Sequence, residues 1–176
     1  SSSFLIKVNL SGANLENANF SDANLEGSNL AGANLENANF SNTNLEASDL
    51  NSANLNIANL INADLSYTDL TGANIKGANL INADLSNANI SSANLIRAKL
   101  NGANLIRADF TDTNLKGANL LKTYLSGANL IRAALLDGVN LQGANVENTC
   151  FGNNPGISQQ MKDDLIRRGA IFGRYR

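Results

Sequence analysis

Few side chains in this sequence have the chemistry of a catalyst, and their spacing does not assemble them into a site. The chain contains no histidine, which removes the commonest general base and the commonest ligand of transition metals. Cys150 is the single cysteine, so no disulfide forms within the chain, and we interpret its thiol as structural or incidental. Gly72 and Gly77 are closely spaced, but they follow a five-residue period and not the spacing of a phosphate-binding loop. The sequence therefore predicts no enzyme activity, no catalytic residue, no cofactor and no metal site.

The charged side chains are distributed unevenly along the chain. Residues 1–70 contain eight acidic residues and one basic residue, whereas residues 71–176 contain seven acidic and twelve basic residues. This division indicates an oriented surface and not a general nucleic-acid binder. Glutamates recur at regular intervals in the first part, at positions 16, 26, 36 and 46. Stacked like charges are mildly unfavourable, which admits a function for these glutamates, but we interpret them as a solvated, solubilising surface.

A five-residue period organises most of the chain. From Leu10 to Leu135 every fifth residue is Leu, Phe or Ile. This period matches neither the roughly 3.6 residues per turn of an α-helix nor the two-residue alternation of a strand, so each unit is predicted to be a short strand followed by a corner. In a typical unit, Ala13-Asn14-Leu15, a small residue and an outward polar residue precede the large apolar one. Strand alternation predicts that the small and large apolar residues point inward and that Asn or Asp points outward.

The second corner position of each unit predicts tight turns. Of the 25 such positions from Gly12 to Arg132, sixteen are Gly, Asn or Asp, the residues that adopt positive φ at low cost. A longer repeat indicates how many units make one coil. The segment GANLENANFS at residues 12–21 recurs unchanged at residues 32–41. The second copy begins four units after the first, so four pentapeptides are predicted to complete one coil.

These Ala-(Asn/Asp)-Leu-x-x units resemble the pentapeptide repeat family, over roughly residues 8 to 151. The resemblance implies an all-β solenoid, a right-handed quadrilateral β-helix with four pentapeptides per coil and about seven coils. With its terminal segment, the chain looks like the short cyanobacterial members of the family. Family membership determines the fold and leaves the function open, because functions vary widely within one fold.

We predict three segments along the chain. Residues 1–9 lead into the first coil, residues 10–152 form the β-helix, and residues 153–176 form a C-terminal α-helical cap. The first four residues include neither Met nor a signal peptide, and they fit either an expression scar or a mature end after cleavage. The five-residue register slips by one residue near Leu136-Asp137-Gly138, which predicts a bulge at a corner.

The sequence after Pro155 changes from the repeat to a helical pattern. Ser158 is a plausible N-cap, and two pairs spaced at i,i+4, Asp163 with Arg167 and Asp164 with Arg168, are typical of a helix. An apolar stripe on this segment is predicted to lie across the last coil and cover its leucines. The predicted cap residues are Ile157, Met161, Leu165 and Phe172.

From residue 57 onward several corner positions carry apolar residues, and three of these precede an arginine. Apolar corners beside arginine are typical of a protein contact surface. The candidate partner surface consists of Ile57, Ile61, Tyr67, Ile81, Ile96, Arg97, Ile106, Arg107, Leu121, Ile131 and Arg132. In the alternative interpretation, corner residues are only partly exposed and tolerate isoleucine at no cost. Lys99, Tyr124 and Ala134 interrupt the outward Asn/Asp pattern and are secondary candidates for contact residues.

Two classes of function follow from these observations. The first is a non-enzymatic structural or protein-interaction module, a rigid rod that presents a face to an unidentified protein partner or to a second copy of itself. The second, implied by the family resemblance, is DNA mimicry that acts on DNA gyrase, either inhibiting this topoisomerase or protecting it from quinolones. Against mimicry, the acidic region spans only about three and a half coils, and the C-terminal part is basic.

Other partner classes receive little support from the sequence. The basic residues are dispersed without interleaved aromatic residues, so binding of nucleic acid is not expected. No small-molecule substrate is predicted, because short corners supply no active-site loops. No apolar run approaches the roughly 18 residues that a membrane span needs. The sequence does not assign a compartment.

Overall fold

The chain winds into a β-solenoid whose coils are joined by parallel bridges. The computed structural model describes residues 5–135 and 138–173. Outward residues four units apart are paired, from Asn9 with Asn29 through Asn114 with Ala134. Each coil of this stretch therefore contains four five-residue units, as the repeated segment GANLENANFS predicts.

Each corner depends on one residue in the left-handed backbone conformation. All 25 second-corner positions from Gly12 to Arg132 have φ between 54° and 69°. The turn is closed by a hydrogen bond such as that from the N–H of Ala13 to the C=O of Leu10, at 3.1 Å. Between coils, the N–H of Leu15 donates to the C=O of Asn34 at 2.8 Å, and the same bond recurs in the following units. The predicted tight turns with positive φ are confirmed.

The interior is a continuous column of apolar side chains. From Leu25 to Leu135 the large apolar residue of each unit is at most 2% exposed, and the alanines before it are buried as well. Burying one such leucine contributes about 1.5–3 kcal/mol, so this column dominates the stability. Where Thr43 replaces alanine, its hydroxyl donates to the C=O of Phe20 at 2.7 Å. No buried side-chain nitrogen or oxygen lacks a hydrogen-bond partner in the described residues.

The outward asparagines hold the corners and connect the coils. The Oδ1 of Asn19 accepts a hydrogen bond from the N–H of Ser21 at 3.0 Å, which fixes the start of the following corner. The Nδ2 groups of Asn34 and Asn54 donate to the Oδ1 of Asn14 and Asn34 respectively, at 3.2 and 3.0 Å. Such ladders of stacked amides add side-chain hydrogen bonds to the backbone bridges.

The register slips by one residue near the C-terminal end of the solenoid. Asn114 pairs with Ala134, which is four complete units later, but Asn119 pairs with Asn140, one residue beyond the position that four units would reach. One extra residue therefore lies between Ala134 and Asn140, as predicted. The predicted position of the bulge at Leu136 and Asp137 lies outside the described residues.

The solenoid extends further toward the N-terminus than the predicted boundary at residue 10. The N–H of Leu5 donates to the C=O of Asn24 at 2.8 Å, and the N–H of Lys7 donates to the C=O of Glu26 at 2.9 Å. Lys7 also has a φ of 56°, as the later corners do. The described part of the predicted lead-in segment thus already has the hydrogen bonding of a coil.

The chain after the repeats forms two short strands and a helix. Strand β1, Cys150–Phe151, pairs in parallel with strand β2, Ile171–Phe172, and helix α1, Gln159–Arg167, lies between them in sequence. Ser158 caps α1, because its Oγ accepts a hydrogen bond from the N–H of Met161 at 3.1 Å. The predicted N-cap is confirmed.

Asp163 and Arg167, whose i,i+4 spacing indicated the helix, do not form an ion pair with each other. Arg167 instead contacts Asp164 at 3.2 Å, and Asp163 accepts a hydrogen bond from the side chain of Gln159 at 2.7 Å. Asp164 also pairs with Arg168, four residues later, at 2.9 Å. The carboxylate of Asp164 thus attracts both arginines, while Asp163 finds its partner one turn earlier.

Helix α1 packs against the last coil through its apolar stripe. Leu165 is 1% exposed, and Ile157, Met161 and Phe172 pack against the buried core. The rings of Phe151 and Phe172 stack with centroids 5.2 Å apart. Arg168, which pairs with Asp164, also donates hydrogen bonds to the backbone carbonyls of residues 141 and 144. These contacts join the helix to both the interior column and the open backbone of the coil.

The interior predicts a strong penalty for added volume. Ala78 is fully buried between stacked coils, so Ala78→Leu should lower the free energy of unfolding by about 1–3 kcal/mol, because the column has no room to relax. Ala134→Leu is the matched control, since Ala134 occupies a half-buried outward position and should change stability little. Urea denaturation followed by circular dichroism measures both. Equal stability of the two variants would contradict a close-packed interior.

Candidate interaction surfaces

The candidate contact residues lie at four corners and do not share one face. Because residues four units apart stack, each corner is a column of residue pairs, and we name it after its first residue in the chain segment 11–30. The four columns begin as follows: the Ser11 corner (11–12, 31–32, 51–52), the Glu16 corner (16–17, 36–37, 56–57), the Ser21 corner (21–22, 41–42, 61–62) and the Glu26 corner (26–27, 46–47, 66–67). The prediction of a single contact face is therefore corrected, because successive five-residue units turn to different sides of the coil.

The candidates divide among the corners by their register. The Glu16 corner carries Ile57, Ile96 and Arg97; the Ser21 corner carries Ile61, Ile81 and Leu121; the Glu26 corner carries Tyr67, Ile106 and Arg107; the Ser11 corner carries Ile131 and Arg132. Ile61, Ile81, Ile96, Leu121 and Ile131 are half-buried first-corner residues. For these five the structure agrees with the alternative interpretation, in which partial burial tolerates isoleucine.

Ile57 and Tyr67 are large apolar residues in an unfavourable backbone conformation. Both have a φ of 58°, and they are 59% and 61% exposed. Left-handed backbone costs a residue with a Cβ roughly 1–2 kcal/mol, and it is rarest for β-branched residues. Neither side chain is buried enough to offset this cost. Such a residue at the surface is a candidate for a contact with another molecule.

Ile106 and Tyr124 lie close together on one face. This Asn24 face, between the Ser21 and Glu26 corners, has outward positions 24, 44, 64, 84, 104 and 124. Tyr124 is bridged to Asn104 in the preceding coil, and Ile106 follows Asn104 by two positions. Tyr124 is 53% exposed and Ile106 is 37% exposed. Arg107 completes the corner pair that Ile106 begins, and its Cγ lies 3.5 Å from the position of a Cβ on Gly127.

Arg132 is already engaged within the chain. Its Nε and Nη2 donate to the two carboxylate oxygens of Asp112 in the preceding coil, at 2.6 and 2.7 Å. These hydrogen bonds lower the pKa of Asp112 and raise that of Arg132. The pair was not predicted from the sequence, although the two residues are separated by one complete coil. Arg132 is therefore a weaker candidate for a partner contact than Arg97 or Arg107.

The described residues offer few groups for catalysis or metal binding. No group of three or more His, Cys, Asp or Glu side chains among residues 5–135 and 138–173 could hold a metal ion. Cys150 is half-buried at an outward position, with its Sγ 3.9 Å from the carbonyl oxygen of Asn148.

Two surface grooves of about 520 and 600 Å³ flank helix α1. The helix of the described chain is too short to cross a bilayer.

The five-residue units, the left-handed corners and the four-unit coil define a β-solenoid of pentapeptide units. The family described as Pentapeptide repeats matches the chain in eight copies, and the chain belongs to this family. The matched segments are residues 3–42, 18–56, 38–77, 53–91, 68–105 and 93–132. Membership implies a right-handed quadrilateral β-helix, in agreement with the resemblance drawn from the sequence. No curated protein matches the chain.

Solved structures of pentapeptide repeat proteins are similar to this chain. HetL, involved in heterocyst differentiation regulation in the cyanobacterium Nostoc sp. strain PCC 7120, is 27% identical over 84% of this chain and 88% of its own, with a TM-score of 0.42. The protein alr5209 from Nostoc PCC 7120 is 35% identical over 71% and 84%, with a TM-score of 0.31. Full-length QnrB1, a plasmid-mediated fluoroquinolone resistance protein, is 20% identical over 99% and 92%, with a TM-score of 0.47. These superpositions are too loose to transfer a site or an activity.

The strained corners predict that two substitutions raise stability. Ile57→Asn and Tyr67→Asn should each increase the free energy of unfolding by about 1 kcal/mol, because asparagine adopts the left-handed conformation more readily. The reverse change Asn87→Ile, at a corner with a φ of 58°, is the matched control and should lower it. Denaturant midpoints measure all three variants. A loss of stability in Ile57→Asn would show that its side chain stabilises the fold.

Proposed function

We propose that this chain is a non-enzymatic structural and protein-interaction module, a rigid rod that presents side chains at its surface to a protein partner. The observation that carries the proposal is the proximity of exposed Tyr124, on the Asn24 face, to exposed Ile106 and Arg107 on the adjoining Glu26 corner. Tyrosine and arginine are enriched among residues that dominate binding energy, and a neighbouring aliphatic side chain supplies the apolar contact.

The regular hydrogen bonding supports this role. The N–H of Leu105 donates to the C=O of Tyr124 at 2.8 Å, and the N–H of Arg107 donates to the C=O of Ser126 at 3.1 Å. The backbone that carries the candidate side chains is thus fixed by the neighbouring coil before any partner binds. A surface ordered in advance loses little conformational entropy on binding, which favours affinity.

The aspartates on the same face suggest the chemistry of the partner. Asp64 and Asp84 occupy adjacent outward positions on the Asn24 face, in the coils before Tyr124. The partner surface that fits is apolar opposite Ile106 and Tyr124 and basic opposite the two carboxylates, because complementary charges direct the encounter and fix the orientation.

We propose that residues 153–176 act as a cap on a β-helix of about seven coils that occupies residues 10–152. Leu165 is buried against the last coil, and Ile157, Met161 and Phe172 surround it. An open β-helix end presents unpaired backbone groups and apolar side chains, so covering it prevents association through that end.

We do not extend the proposal to DNA mimicry acting on gyrase. Four of the five corner glutamates lie in the early coils, whereas the later part of the Glu16 corner carries Lys76 and Arg97. A mimic of duplex DNA needs negative charge along its length, because the phosphate backbone is uniformly charged.

The partner surface is tested by affinity capture with matched variants. Wild-type chain, the double variant Ile106→Ser and Tyr124→Ser, and the control Ile57→Ser on a different corner are immobilised and exposed to a lysate of the organism that encodes the chain. We expect at least one protein to be retained by wild type and control and lost from the double variant, because the contact removed is on the Asn24 face only. Identical retained proteins for all three chains would contradict the proposed surface.

The cap is tested by two substitutions at neighbouring positions of α1. Leu165→Asp should cause concentration-dependent aggregation and an earlier thermal transition, because it places a charge against the apolar end of the column. Ile166→Asp is the matched control, since Ile166 is 48% exposed and should tolerate the charge. Light scattering after gel filtration measures the association state. A soluble, unaltered Leu165→Asp chain would contradict the capping role.

A further inference from the structure

Apolar residues stand at both edges of one face of the solenoid in its third complete coil. The face lies between the Glu16 and Ser21 corners, and we call it the Asn19 face after its first outward residue. Ile57 and Ile61 belong to neighbouring corners and stand at the two edges that bound this face. Ile81 follows Ile61 in the next coil, where its C=O accepts a hydrogen bond from the N–H of Asn62 at 3.1 Å. Ile57 is 59% exposed at one edge. Between the two edges lies the outward residue Asn59, whose Nδ2 donates to the Oδ1 of Asn39 at 3.1 Å.

The charges on the Glu16 corner change sign across the coil that carries Ile57. Backbone hydrogen bonds join Asn17 to Glu36, Asn37 to Asn56 and Ile57 to Lys76, so each pair lies one coil apart. Along this column, Glu16 and Glu36 lie on one side of Ile57, and Lys76 and Arg97 lie on the other. Neither Lys76 nor Arg97 forms an ion pair with another described residue.

We propose that the Asn19 face binds a second copy of this chain in antiparallel orientation. The two-fold axis lies between the two faces, perpendicular to the rods, at the level of the coil that carries Ile57. It reverses the order of the coils and keeps the Glu16 corner of each copy opposite that of the other. Ile57 then meets Ile57 of the second copy. In the single chain the Glu36 carboxylate accepts hydrogen bonds from the side chains of Asn54 and Asn56. In the dimer it turns from Asn54 toward Lys76 of the second copy one coil away from the axis, and Glu16 faces Arg97 of the second copy two coils away.

The charge order selects this arrangement over a parallel one. In a parallel pair, a two-fold axis along the rod sets the Glu16 corner opposite the Ser21 corner of the second copy, coil for coil. Glu36 would then face Ser41, and Lys76 would face Ile81. No opposite charges meet, and the charged groups lose solvent without a partner. Only the antiparallel pair places both carboxylates opposite basic groups.

The symmetry of the charges identifies the occupant as a second copy. A foreign partner requires complementarity to this face but no relation between its two ends. A two-fold dimer requires that every residue at a given distance from the axis be complementary to the residue at the same distance on the other side. The Glu36 and Lys76 positions, and the Glu16 and Arg97 positions, meet that requirement about the coil that carries Ile57.

The size of the face makes the dimer weak and sensitive to salt. The paired charges span five coils, about 19 Å at sheet spacing, and most outward residues between them are asparagines. Such a contact lies at the small end of specific interfaces, at about 1,000 Å² of total buried surface. Exposed ion pairs are screened by salt, so we expect the dissociation constant to rise about tenfold or more between about 50 and 500 mM salt.

Sedimentation equilibrium of single and paired charge reversals tests the proposal. Glu36→Lys alone places lysine opposite Lys76 of the second copy, and Lys76→Glu alone places glutamate opposite Glu36. Each single variant should therefore be monomeric where wild type dimerises. An equimolar mixture of the two single variants should form a heterodimer. At one end of that heterodimer the introduced lysine faces the introduced glutamate, and at the other end native Lys76 faces native Glu36.

A charge reversal on a different corner serves as the control. Glu26→Lys makes the same change on the Glu26 corner and should leave the dissociation constant within about twofold of wild type. Because Glu36 accepts hydrogen bonds from Asn54 and Asn56, Glu16→Lys with Arg97→Glu provides a second pair of variants should Glu36→Lys fail to fold. A monomeric wild type at low salt would overturn the proposal. So would a dimer that persists in the single variants, which would indicate association through another surface such as helix α1.

Discussion

The left-handed backbone at the second corner position is the constraint on which the structure depends. Every five-residue unit must turn there, and the coil closes only if all units turn alike, which the uniform φ values show. Glycine, asparagine and aspartate meet the requirement at low cost, so they occupy most corners. With the turn fixed, the inward positions align into one apolar column, and the outward asparagines align into ladders. Interior and surface therefore follow from the same local conformation.

This architecture restricts where function can reside. Most interior positions are filled by Leu, Phe, Ile and Ala, and a few small inward positions hold Ser or Thr. Outward positions hold the corners through side-chain hydrogen bonds to the backbone, as Asn19 does with Ser21. Corner residues are the least restricted by packing, so their side chains can vary without loss of the fold. A large side chain such as Tyr67 at a strained corner is informative because the fold alone would favour asparagine there.

The sequence predicted the features that depend on local period and failed on those that depend on distant geometry. The four-unit coil, the positive φ of the corners and the N-cap Ser158 were all accessible, since each is determined by residues close in sequence or by the repeat itself. The ion-pair partner of Arg167 could not be read from the spacing, because a helix offers an arginine several carboxylates at similar distances. The carbonyl contacts of Arg168 were inaccessible, because they depend on how α1 lies across the last coil.

The candidate surface shows how sequence order and spatial order differ in a solenoid. The residues chosen as one group separate into four columns once positions are compared one complete coil apart. The same comparison finds the ion pair of Arg132 with Asp112, which no reading of neighbouring residues reveals. It also converts the imbalance between an acidic first part and a basic second part into an ordered series on one corner. A net charge describes how strongly such a chain is attracted to others, whereas the order of charges along one column determines the orientation in which two chains can meet.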